Sequence, residues 1–154
     1  MIYLLLKTLH VVAVVLFLGN VITAIFWKAH GDRSGDLRDR ATALDGIIRA
    51  DRMFTTPGVL LIIATGVALV LVGGLSFLAT WIMASLLLFA LSGAVFGARV
   101  APLQRKLLAN VRSGLTGQWN ESEYLRLSKR WQIWGWVATI APLAALALMV
   151  LKPG

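Results

Sequence analysis

Four long apolar stretches constrain this chain more than any other feature of its sequence. A helix that crosses the hydrocarbon core of a bilayer needs about 20 consecutive, mostly apolar residues. The stretches that meet this requirement run over residues 2–27, 55–74, 77–98 and 131–151. Because lipid offers the backbone no hydrogen-bond partner, each stretch is predicted to be an α-helix. The sequence therefore predicts one all-α integral membrane domain, residues 1–154, built as a bundle of four transmembrane helices.

The composition agrees with a bilayer as the solvent. Apolar residues make up 58% of the chain and charged residues 14%, whereas a soluble domain has about 45–50% and about 25%. The chain contains no cysteine. A disulfide, a thiolate metal site and a covalently attached c-type haem are therefore excluded.

Thirteen of the fifteen basic residues lie in two segments. Residues 28–52 carry six of them and residues 99–130 carry seven, while the 73–76 turn carries none. By the positive-inside rule, both basic segments face the cytoplasm and both termini lie on the periplasmic side of a bacterial inner membrane. The net charge of +8 is then explained by topology and by attraction to anionic lipid. Neither basic segment shows a nucleic-acid recognition pattern, so no nucleic-acid partner is expected.

The two basic segments also have apolar residues at helical spacing. This pattern predicts short interfacial helices in both cytoplasmic loops, which lie either on the inner membrane interface or against their neighbours. Thr55 or Thr56 is expected to cap the second spanning helix, with Pro57 in its first turn. Asn120 followed by Glu123 resembles a capping box at the start of the last helix. The short turn after the second span predicts that the second and third spans pack as antiparallel neighbours.

Lys7 and His10 lie three residues apart on one face of the first span. Lys7 can extend its ammonium group to the outer interface, but His10 lies about 12 Å below Ile2, too deep for that. A neutral imidazole at this depth is a suitable ligand for haem iron or copper. The alternative is a histidine that bonds to a serine, a threonine or a backbone carbonyl across the bundle.

A second ligand to a metal bound by His10 would have to lie at the same depth in the bundle. Met83 is predicted to lie near the level of His10, and Met149 lies in the same half but nearer the surface. A His/Met site would suit iron or copper(I), although methionines more often fill gaps in apolar cores. A further alternative is five-coordinate iron with His10 as its only protein ligand. His30 is about 30 Å from His10 along one helix, so it cannot join the site.

Polar residues near the inner ends of the spans favour structural roles. Asn20 is expected to bond across a helix interface. Asp51 and Arg52 lie just outside the second span, where they are interfacial charges at a helix start. Alternatively, Asp51 pairs with Arg99 or another arginine, which would tie helices together or hold an anionic group such as a haem propionate or a phosphate.

Three motifs carry a resemblance to known proteins. With "KTLH", "GN" and "RADRMFTTPG", nearly the whole chain resembles a family of predicted bacterial integral membrane proteins of unknown function. The stretch "KTLHVVAVVLFLG" is similar to the first helix of HemJ-type protoporphyrinogen oxidases and of CopD-like copper-resistance membrane domains. The HemJ resemblance implies a b-type haem, with His10 as its axial ligand and Lys7 beside an anionic porphyrin side chain. The further histidine and the tryptophan/lysine-rich motifs of that enzyme family are not found.

Three functions are compatible with these sequence patterns. The first is a protein that binds b-type haem or porphyrin, with redox or electron-transfer chemistry at His10. The second is copper(I) handling by His10 and Met83. The third is an accessory or assembly subunit without a cofactor, whose partners are a second copy of the chain or another membrane protein. Hydrolase chemistry is not supported, because no nucleophile–base pair or phosphate loop is present.

Overall fold

The computed structural model describes residues 1–152, so the last two residues of the predicted domain 1–154 lie outside the described chain. Within that range, four helical stretches are long and apolar enough to cross a membrane. The predicted all-α fold with four spans is confirmed. The helices are α1 (Ile2–Ser34), α2 (Leu37–Ala50), α3 (Thr56–Val72), α4 (Thr80–Val95), α5 (Ala101–Leu115) and α6 (Glu121–Leu151).

Two π-helical turns make continuous helices of α2 with α3 and of α4 with α5. The turns are Asp51–Thr55 and Phe96–Val100, and each is followed after one residue by a proline, Pro57 or Pro102. A proline in a helix lacks an N–H and crowds the carbonyl four residues earlier. A π-turn widens the helix locally and relieves that conflict. The expected start of α3 at Thr56, with Pro57 in its first turn, is confirmed. The expected threonine cap is wrong, because the π-turn continues the helix through this point and the hydroxyls of Thr55 and Thr56 donate to Asp51 instead.

The predicted amphipathic helices are α2 and α5, and each is continuous with a spanning helix, α3 or α4. They pack on each other, and α1 and α6 pack against them. Leu44, Leu107, Val111, Tyr124 and Trp131 form the centre of this core. At the start of α6 the side-chain oxygen of Asn120 accepts a hydrogen bond of 3.0 Å from the Glu123 N–H, as the capping pattern indicates.

The spanning helices associate in two pairs. In the described chain, α3 packs on α1 and α4 packs on α6, but α3 and α4 do not pack on each other. The expectation that the second and third spans are neighbours is therefore wrong. The turn between Val72 and Thr80 lets the two helices diverge, which leaves space inside the bundle. We call this end of the bundle the turn end, and the end that carries α2 and α5 the arm end.

Candidate cofactor site at the turn end

A cavity of about 440 Å³ lies between the two helix pairs at the turn end. All four spanning helices line it. Its walls are mostly apolar. The residues that line it include Lys7, His10, Gly66, Trp81, Met149 and Lys152. A smaller cavity of about 60 Å³ continues inward and also contains His10 in its wall. Phe17 and Phe89 line this smaller cavity and make an edge-to-face contact, with ring centroids 5.7 Å apart.

Thr65 determines which ring nitrogen of His10 carries the hydrogen. The Thr65 hydroxyl oxygen lies 2.6 Å from the Leu61 carbonyl oxygen and 2.8 Å from His10 Nδ1. A hydroxyl has one hydrogen and a carbonyl can only accept, so that hydrogen goes to Leu61 and Nδ1–H donates to the threonine. The Nε2 atom of His10 then keeps its lone pair. An imidazole fixed in this way is prepared to bind a metal through Nε2.

Gly66 allows the imidazole to lie close to α3. A Cβ atom added at Gly66 would lie 3.4 Å from His10 Cε1. Thr65 and Gly66 are consecutive residues, so one short stretch of α3 both holds the ring and makes room for it. The sequence indicated a serine, threonine or carbonyl partner for His10 but did not identify Thr65.

Two lysines stand at the mouth of the cavity. Lys7 comes from α1 and Lys152 follows α6, and the ammonium nitrogen of Lys152 lies 5.5 Å from the centre of the Trp81 ring. Both lysines are exposed. The mouth therefore presents two positive charges above an apolar interior, an arrangement suited to an amphipathic anion.

The two methionines take different places. Met149 lines both cavities that His10 lines. Met83 is 39% exposed and lines neither of them. The thioether that the structure places on the same cavities as His10 is that of Met149. Within the described residues no group of three or more His, Cys, Asp or Glu side chains is placed to hold a metal ion.

At the arm end, Asp51 accepts hydrogen bonds from neutral groups. Its carboxylate receives bonds from Asn20 Nδ2 at 3.1 Å, the Thr55 hydroxyl at 2.9 Å and Gln104 Nε2 at 3.0 Å. Asp51 is only 7% exposed. The network joins α1 to both continuous helices, and its members come from three separate parts of the sequence.

The expected pairing of Asp51 with an arginine is not what the structure shows. Arg99 instead stacks over the Trp134 ring at 5.4 Å, and the Arg52 side chain is exposed. Because three neutral donors satisfy the Asp51 carboxylate, it does not require a cation as a partner. The amide of Gln104 is 53 positions away from Asp51, so local sequence patterns do not indicate it.

Sequence reasoning also missed a buried cluster around Lys28. Lys28 is 2% exposed, and its ammonium nitrogen lies 2.5 Å from Asp32 and 3.0 Å from the Ser128 hydroxyl. The Tyr124 hydroxyl donates to Asp32 as well, and the Lys28 nitrogen lies 4.9 Å from the centre of the Tyr124 ring. The cluster joins α1 to α6. The four-residue spacings of Lys28 with Asp32 and of Tyr124 with Ser128 were its only local signal.

Residues 4–153 match the model of the family described as "Predicted integral membrane protein (DUF2269)". The chain belongs to this family. The match confirms the resemblance to a family of integral membrane proteins of unknown function and places the DUF2269 chain in a lipid bilayer. Comparisons with curated proteins and with solved structures find no match. The similarity of the first helix to HemJ-type and CopD-like proteins stays a prediction.

Proposed function

We propose that this DUF2269 protein binds a b-type haem or a related porphyrin in the turn-end cavity, with His10 Nε2 as the iron ligand. The observation that carries the proposal is the hydrogen bond from His10 Nδ1 to Thr65, since it leaves Nε2 with a free lone pair. A haem would supply one-electron redox chemistry. The arm end would face the cytoplasm of a bacterial inner membrane, because its arginines favour that side.

The residues present fit such a group. The volume of about 440 Å³ falls within the range of about 300–1,000 Å³ that small-molecule and cofactor sites occupy. The apolar walls suit the porphyrin ring, and Lys7 and Lys152 at the mouth match its two carboxylates in number and charge. Met149 lines the same two cavities as His10 and would be the candidate second ligand in place of Met83.

In this proposal each residue has a separate task. Thr65 holds the imidazole in one tautomer and one orientation. The apolar side chains around His10 exclude water, and a dry environment together with the ligand set tunes a redox potential. Lys7 and Lys152 would neutralise the charge of the carboxylates at the boundary with water.

The test is an absorption spectrum of the full chain, expressed with a haem precursor and purified in mild detergent. We expect a Soret band and sharp α/β bands after reduction. His10→Ala should remove them, while His30→Ala, the matched control at the arm end, should leave them intact. No Soret band in the unaltered protein, whatever the growth medium, contradicts haem binding.

Copper(I) is the second candidate, because Met149 brings a thioether to the cavities that His10 lines and this donor set suits a soft ion. Metal analysis of protein loaded with copper(I) in the presence of a reductant tests it. Stoichiometric copper that is lost in His10→Ala and in Met149→Leu, but retained in Met83→Leu, would support this candidate over haem. If the protein binds neither haem nor copper, the remaining candidate is an accessory or assembly subunit without a cofactor.

A further inference from the structure

A groove between α2 and α5 at the arm end carries an excess of positive charge and is separate from the proposed haem site. Its volume is about 620 Å³, and four arginines line it together with one carboxylate, that of Asp45. The arginines are Arg49, Arg52, Arg105 and Arg112. We call it the arginine groove.

The carboxylate does not neutralise this groove. Asp45 pairs with Arg49 at 2.8 Å and with Arg112 at 3.3 Å. Among the described residues, no side chain forms an ion pair with Arg52 or Arg105. Both residues are exposed, so two guanidinium groups are available to a ligand. A guanidinium offers paired N–H donors that match two oxygens of a phosphate.

The groove also lies at the level where the bilayer surface is expected. Arg52 belongs to the π-turn that precedes α3, and its sequence neighbours Met53 and Phe54 are 69% and 46% exposed. Large apolar side chains exposed beside a spanning helix are suited to acyl chains. Arg105 follows Pro102 in the first turns of α5, and Ile48 and Leu108 line the groove between the charges. The surface therefore offers cations next to an apolar flank.

We infer that the arginine groove binds the phosphate-bearing headgroup of an anionic membrane lipid, with Arg52 and Arg105 holding the phosphate. A lipid fits better than free phosphate, because Arg52 is followed in the same π-turn by Met53 and Phe54, which lie outside the groove lining and are exposed for contact with acyl chains. Basic pockets between helices at a membrane surface are recognised sites for such headgroups. The inference is independent of the haem proposal, since the groove shares no residue with the turn-end cavity.

The test is native mass spectrometry of the full chain in detergent, titrated separately with phosphatidylglycerol, with phosphatidylcholine of the same acyl chains, and with inorganic phosphate. We expect phosphatidylglycerol to be retained in preference to the other two. The double variant Arg52→Gln/Arg105→Gln should weaken its binding by about ten-fold or more. The matched control, Arg38→Gln/Arg130→Gln, removes the same charge from exposed positions outside the groove and should bind as the unaltered chain does.

Two outcomes would overturn the inference. Equal losses in the control and in the groove variant would mean that only the overall charge of the protein attracts the lipid. Inorganic phosphate that binds as tightly as the lipid and depends on Arg52 and Arg105 would make the groove a site for soluble phosphate. Thermal unfolding of each variant checks that the fold is retained, as expected for changes at exposed side chains.

Discussion

Ser92 of α4 donates a hydrogen bond of 2.6 Å to the Ala138 carbonyl oxygen of α6. Ala138 lies four residues before Pro142, which has no N–H, so this carbonyl lacks its partner within the helix. Ser92 and Ala138 are both buried. A serine on one spanning helix therefore supplies the donor that a proline removes from another, as polar side chains do in membrane interiors.

A double-mutant cycle on Ser92 and Pro142 tests this relationship. Ser92→Ala should lower the free energy of unfolding by about 1 kcal/mol, because a buried carbonyl loses its donor. In a Pro142→Ala background the new N–H can serve that carbonyl, so the same change should cost close to nothing. Denaturant unfolding in detergent measures both.

Ser85→Ala is the control for this cycle. Ser85 lies 3.3 Å from the Ala145 carbonyl, whose helical donor, the N–H of Met149, is present. Its removal should cost less than that of Ser92 and should not depend on residue 142. If Ser92→Ala costs the same with proline and with alanine at position 142, the serine acts through packing alone.

Asp51 should contribute far more to stability than an exposed carboxylate at the arm end. Asp51→Ala leaves the donors of Asn20, Thr55 and Gln104 without their acceptor, and we expect the free energy of unfolding to fall by about 2–3 kcal/mol. Asp39 is exposed, so Asp39→Ala should change stability by no more than about 0.5 kcal/mol. Equal effects of the two changes would mean that water replaces the lost acceptor.

Gly31 and Gly46 should respond in opposite directions to replacement by alanine. A Cβ at Gly31 would lie 2.9 Å from the Ala43 Cβ, whereas a Cβ at Gly46 would meet nothing within 4 Å. Gly31→Ala should force α1 and α2 apart and destabilise the protein by about 1–3 kcal/mol. Gly46→Ala should stabilise it by about 0.5–1 kcal/mol, because alanine is the better helix former.

Thermal unfolding of these two variants in detergent gives the measurement. An increase in melting temperature for both would show that α1 and α2 can separate without cost. The close approach at Gly31 would then have no structural role.

Thr65→Val tests the orientation of His10 within the haem proposal. Valine keeps the shape of threonine but cannot accept the Nδ1 hydrogen, so haem affinity should fall by about 10–100-fold. Thr23→Val is the control, because the Thr23 hydroxyl bonds to carbonyls of its own helix. Haem titration followed by absorbance measures both variants. Undiminished haem affinity in Thr65→Val would show that haem binding does not depend on the hydrogen bond between Thr65 and His10.

The sequence was sufficient for features that depend on local pattern. The length of the apolar stretches predicted the spans, and the spacing of apolar residues predicted α2 and α5. Asn120 and Glu123 indicated the start of α6, since a capping box lies within four residues. Pro57 was misleading about the threonine cap, because a proline in the first turn of a capped helix and a proline just after a π-turn have the same local sequence.

The features that the sequence did not predict depend on contacts between distant residues. Lys28 counted as one of the loop cations, yet it is buried against Ser128, 100 positions away. Thr65 meets His10 across 55 positions. Depth along a helix favoured Met83 over Met149, but the rotation of a helix about its axis decides which side chain faces inward, and Met149 is the one that lines the cavities with His10.

The uncharged turn between α3 and α4 affects how the protein enters the membrane. No charged side chain lies between residues 73 and 79, so the turn can cross the hydrocarbon layer at little cost, unlike the arginine-bearing arms. The two helices can therefore insert together as a hairpin. The remaining wall of the cavity comes from α6, which follows the other three spans in the chain, brings Met149 and is followed by Lys152. Until α6 inserts, the cavity has one open side, and the haem of the proposed function would be able to enter through it directly from the bilayer.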